Sequence, residues 1–79
     1  MTTFDAASEA VCVVLTRWLD GDAVDVWRTG STISRIEVAQ LAADQISFRD
    51  RSLRGEARRF FSAALRVALA MERPDEQAA

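Results

Sequence analysis

Five arginines, Arg51, Arg54, Arg58, Arg59 and Arg66, crowd one sixteen-residue stretch of a 79-residue chain, and no other group of side chains offers comparable chemistry. A guanidinium presents a planar fork of donors that grips carboxylates or phosphates through two bonds at once. At helical spacing these five fall within somewhat under half of the circumference. The chemistry available to such a face is recognition of anions, not bond making.

Catalytic groups are scarce by comparison. The chain has no histidine, which removes the commonest general base and metal ligand. Cys12 is the lone cysteine and sits in Val-Cys-Val-Val, a setting for a buried, inert thiol. Gly21, Gly30 and Gly55 are isolated, so there is no phosphate-cradling loop. The run from Asp20 to Asp25 has a calcium-loop look, yet Val24, Asp25 and Ser31 stand where an EF-hand needs a ligand, a glycine and a glutamate. Its acids read as helix-end and capping residues. No catalytic residue, cofactor or metal site is expected, and the chain is read as non-enzymatic.

The elements that position the arginines follow from patterning. A composition 49% hydrophobic and 28% charged is globular, and the length allows one domain, residues 1–79, with a frayed tail from about residue 74. Such a core supplies about 3–5 kcal/mol, which gives weight to self-association or partner binding. The net charge of −2 hides an uneven distribution. Seven acids and three arginines occupy residues 1–47, whereas seven arginines and three acids occupy 48–73. The single cysteine suits a reducing cytoplasm. The opening Met-Thr-Thr-Phe-Asp lacks a basic leader, and the apolar run from Ala10 to Leu15 is too short to span a bilayer.

Periodicity predicts an all-α bundle of three main helices and one short one, about 4–20, 22–29, 34–46 and 49–73. Thr2 and Asp5 form a capping pair ahead of a first helix whose buried face is Phe4, Ala7, Val11, Val14 and Trp18. Gly21 is its expected stop. Trp27, on the short second helix, is placed at one end of the core. Ser34 and Glu37 form a capping box, with Ile33 and Val38 as a hydrophobic staple. The helix that follows is apolar around most of its girth, Leu41 included, so it is expected at the centre with both long helices against it. The last helix buries Leu53, Ala57, Phe60, Ala64, Val67 and Met71, turns its arginines outward, and stops at Pro74. Leu65 and Leu69 continue the basic sector toward its C-terminal end.

Two functions fit this layout. The first is a protein-interaction or regulatory module that presents Arg51, Arg54, Arg58, Arg59 and Arg66 to a protein partner, a second copy of the chain among the candidates. The alternative is a DNA-binding regulator. A short helix, a turn at Gly30 and a helix from Ser34 follow the order of a helix-turn-helix. The pattern is degenerate, with Val26 where a small residue belongs and Glu37 and Asp44 on the helix that would enter the groove.

Overall fold

A computed structural model of the chain describes residues 3–72, with side chains from Asp5 onward. Four α-helices follow one another, α1 (Thr3–Trp18), α2 (Gly21–Thr29), α3 (Thr32–Arg49) and α4 (Arg54–Met71). A single 3-10 turn, Arg51–Leu53, leads into α4. The chain is a small all-α bundle, as its periodicity predicts. Thr2, the side chain of Phe4, Pro74 and the tail lie outside the described residues.

The junctions are set by capping side chains, and they move the expected boundaries. Asp20 is extended and its Oδ1 accepts a hydrogen bond from the Ala23 backbone N–H at 3.0 Å. That cap opens α2 one residue later, so Gly21 begins a helix instead of ending one. Ser31, not Ser34, caps α3, its Oγ accepting from the Ser34 backbone N–H at 3.1 Å. Ile33 therefore lies inside the helix and is 70% exposed, and the expected staple with Val38 is not made. At its other end α3 continues through Ser47 and Phe48 to Arg49, because nothing in that polar stretch breaks a helix.

The helix α3 touches α1, α2 and α4, which gives it the central place expected of it. All three neighbours lie toward one side, however. Val38, Ala39, Ala42, Ala43 and Ile46 are buried, whereas Leu41 is 55% exposed, so α3 is not packed around most of its girth. Half of the buried apolar residues are alanines, three on α3 and three on α4 among them. The large anchors are Trp27 and Leu15, both fully buried. On α1 the innermost residues are Val11, Cys12 and Leu15, while Val14 and Trp18 flank a second cluster of Ala43, Ile46 and Ala57.

The short α2 is tied down by polar contacts near its C-terminal end. The Trp27 indole N–H donates to Ser8 Oγ at 2.9 Å. Arg35 Nε donates to the Trp27 carbonyl oxygen at 2.7 Å, covering one of the orphan acceptors at the helix end. On the surface, Arg28 forks onto both carboxylate oxygens of Glu9 at 3.0 and 3.3 Å.

Two stability measurements follow. A Cβ added at Gly30 would stand 2.5 Å from the Val26 carbonyl oxygen, a backbone atom that cannot swing away, whereas one at Gly21 meets nothing within 4 Å. In urea titrations Gly30→Ala is expected to lower stability by about 1–3 kcal/mol, and Gly21→Ala to raise it by about 0.4–1 kcal/mol. Equal effects at the two glycines would contradict the tight α2–α3 corner. Separately, Ser8→Ala strands the indole N–H in the core and should cost about 1–3 kcal/mol. Trp27→Phe removes that donor along with its acceptor requirement, so adding Ser8→Ala to it should have almost no further effect.

Candidate functional site

The arginine face begins at the turn ahead of α4. Asp50 Oδ1 accepts from the Ser52 backbone N–H at 2.9 Å and from the Ser52 hydroxyl at 2.6 Å. These two bonds hold the Asp50 carboxyl below its usual pKa and fix the direction in which α4 leaves the turn. Leu53, which precedes α4, supplies no side-chain cap, and its N–H donates to the Asp50 carbonyl oxygen at 2.9 Å beside the Asp50–Ser52 contact.

From this turn α4 keeps its small and apolar residues inward. Ala57, Ala64, Val67 and Ala68 are buried, and Leu53, Phe60 and Met71 are half-buried beside them. The seam is therefore where the spacing put it. Arg51, Arg54, Arg58, Arg59 and Arg66 are all exposed, as expected. Arg58, Arg59 and Arg66 stand around Ser62 in a shallow basic trough. A Cβ added at Gly55 would first meet the Arg59 guanidinium, at an ordinary contact distance of 3.6 Å, so close packing does not require a glycine there.

The acidic helices do not neutralise this face. Among the described residues the ion pairs are Arg28 with Glu9, between α2 and α1, and Arg59 with Glu56, one turn apart on α4. Arg54 and Arg58 share an open groove with Asp44 and Gln40, between α4 and α3, without closing an ion pair across it. Asp44 accepts instead from the Gln40 amide at 3.0 Å. Among the described residues, then, no ion pair joins the α4 arginines to Glu9, Glu37 or Asp44.

Next to the arginines lies a feature the spacing did not bring out. Phe48 is 87% exposed, and Ile33, Leu41 and Leu69 are also exposed. Phe48 falls in what reads as a polar connection, and only the extension of α3 to Arg49 turns it into a helix-borne surface aromatic. Ile33 and Leu41 belong to the apolar set of a helix expected to be wrapped by neighbours. Burial of one side alone leaves them bare.

A second apolar hollow lies where Leu19, Ala23, Val26, Val38 and Leu41 meet, rimmed by Asp20 and Asp22. The α3–α4 groove carries Asp44 and Ser47 beside its arginines, and neither it nor the hollow is lined by the cysteine. Among the described residues no group of histidine, cysteine and acid side chains gathers closely enough to hold a metal ion. No helix of the described residues is long and apolar enough to cross a membrane. No protein-family model, curated protein or solved structure matches this chain, so function has to be argued from geometry and charge.

Cys12 is buried at the α1 core face, and burial pushes its thiol pKa up. The folded chain keeps this proton to higher pH than the unfolded chain, whose thiol titrates near about 8.5. Above that pH the unfolded state binds fewer protons, so stability should fall as pH rises. Alkylation by iodoacetamide is expected to be slow in native buffer and fast in guanidinium chloride. Rapid labelling of the native chain would show that Cys12 is reachable.

Proposed function

We propose that this chain is a non-enzymatic protein-interaction module of the cytoplasm, acting through the arginine face of α4. The observation that carries the reading is that Arg51, Arg54, Arg58 and Arg66 are exposed and hold no ion pair among the described residues. Surface pairs within the chain would contribute only about 0–1 kcal/mol each. Four guanidiniums without an ion pair among the described residues therefore do little for the fold and are available to a carboxylate-rich partner. Arginine suits the task, since its fork is weakly hydrated and matches carboxylates two bonds at a time. The neighbouring Leu65 and Leu69 add apolar area at the C-terminal end of the same sector.

DNA binding is the second reading, and the trough of Arg58, Arg59 and Arg66 around Ser62 is the observation in its favour. The helix after the Gly30 turn, however, presents Ile33, Glu37, Leu41 and Asp44 outward, a poor lining for a major groove. Phosphate contacts would also work against a net charge of −2.

The double variant Arg54→Glu with Arg58→Glu should keep its helicity by circular dichroism, because both positions are exposed. It should lose the partners that the wild-type chain retains in cross-linked pull-downs read by mass spectrometry. Recovery of the same partners by the double variant would remove the arginine face from the function. An anisotropy titration with duplex DNA at two salt concentrations tests the second reading, which requires binding that weakens steeply with salt.

A further inference from the structure

The outward face of α3 and α4 carries two stripes that complement each other. At about 100° per residue, Ile33, Glu37, Asp44 and Phe48 lie within about 60° of one another on α3. On α4 the same arc of about 60° holds Arg54, Arg58, Leu65 and Leu69. One stripe is acidic and apolar, the other basic and apolar. The two run antiparallel in the hairpin, and their levels match. Asp44 and Ser47 of α3 line one groove with Arg54 and Arg58 of α4, which sets Asp44 about level with Arg58. Continuing along both helices at the same rise sets Glu37 level with Leu65 and Arg66, Ile33 level with Leu69, and Phe48 level with Arg54 and Gly55.

We propose that this face binds a second copy of the chain in a twofold-symmetric dimer, its axis parallel to the α3–α4 hairpin. This rests on reading the chain as an interaction module and names the partner. Such an axis lays α3 of one copy along α4 of the other, antiparallel and with every level kept. Asp44 then faces Arg58 of the second copy, Ile33 packs on Leu69, Glu37 lies over Leu65 with Arg66 at the flank of the stripe, and the Phe48 ring lies over the Gly55 gap. Each contact forms twice, and the four helices close into one antiparallel bundle with no edge left for further growth.

Three observations favour a copy over another occupant. On the two stripes Asp44 is level with Arg58 and Ile33 with Leu69, so one opposite-charge pair and one apolar pair are met in a single register and repeat across a twofold axis. The face measures about 27 Å by 20 Å for two eighteen-residue helices, which approaches the roughly 800 Å² per partner of a standard interface once side-chain relief is added. Half of the buried apolar residues are alanines, while Phe48, Ile33 and Leu69 stand uncovered by the described residues on the face the two helices share.

The test is sedimentation equilibrium of the full chain from about 1 μM to 1 mM, the range in which an interface of this size associates. Wild type is expected to form a dimer that saturates without larger species. Asp44→Arg sets like charges together at both symmetric contacts, and Arg58→Glu does the same with acids. Each alone should raise the dissociation constant by roughly tenfold or more. Mixing the two variants should restore association, because in the heterodimer both contacts join opposite charges. Phe48→Ser, at a position with almost no contact inside the chain, should weaken the dimer while leaving helicity unchanged. A wild-type chain that stays monomeric, open-ended growth, or variants that dimerise like wild type would overturn the proposal. Loss of partners by the Arg54→Glu, Arg58→Glu chain in the pull-down beside a monomeric wild type would leave the interaction module standing and exclude the second copy.

Discussion

The close approach of α3 and α4 is the constraint on which this fold depends. Ala39, Ala42 and Ala43 are buried on α3, and Ala57, Ala64 and Ala68 on α4. Small side chains on both helices bring axes toward the lower end of the roughly 8–10 Å range. The contact leaves no room for a larger residue at these positions, and it explains why α3 and α4 pair more extensively than any other two elements. It also sets their levels relative to each other, and with them the levels of every charge on the outer surface.

An alanine-built contact has an energetic consequence. A buried methylene or methyl is worth about 0.8 kcal/mol, whereas a fully buried Leu or Phe contributes about 1.5–3 kcal/mol. The hairpin alone therefore buries little, and α1 and α2 must supply the larger groups. Leu15 and Trp27 do so, both completely enclosed. The helix α2 is only nine residues long, too short to persist in isolation, and Trp27 is its main hold on the core. The bonds from Trp27 to Ser8 and from Arg35 to the Trp27 carbonyl fix that anchor from two sides. The polar contacts here select a geometry more than they add stability.

The helices themselves were legible in the sequence because a 3-4 spacing of apolar residues survives any error at the ends. The seam from Leu53 to Met71 and the outward arginines both follow from it. The ends were less legible for a local reason. Ser31 and Ser34 are equally good caps by type, and Ser34 has the added attraction of Glu37, yet the corner at Gly30 puts Ser31 at the helix start. Girth was the other failure. Periodicity records which residues are apolar, not how many neighbours arrive, so a helix with Ile33, Leu41 and Ile36 on different sides reads as fully wrapped. Three helices do contact α3, but all arrive from one side. Phe48 was hidden by its surroundings, since Ser47, Arg49 and Asp50 make its segment read as a loop.

The charge asymmetry along the chain takes on a physical meaning only in the folded hairpin. In sequence it is an acidic half followed by a basic one. In space, α3 and α4 lie side by side, and their outer stripes carry opposite signs at matching heights. An intrachain ion pair across the groove would be the simplest use of that arrangement. Asp44 nevertheless bonds to Gln40 on its own helix, and Arg54 and Arg58 remain exposed. Side chains that share a groove and still point past one another have their charge directed outward. A surface of this kind braces its own fold little, and under the proposed interaction the bare Phe48 at its edge adds an apolar reason for a complement to stay.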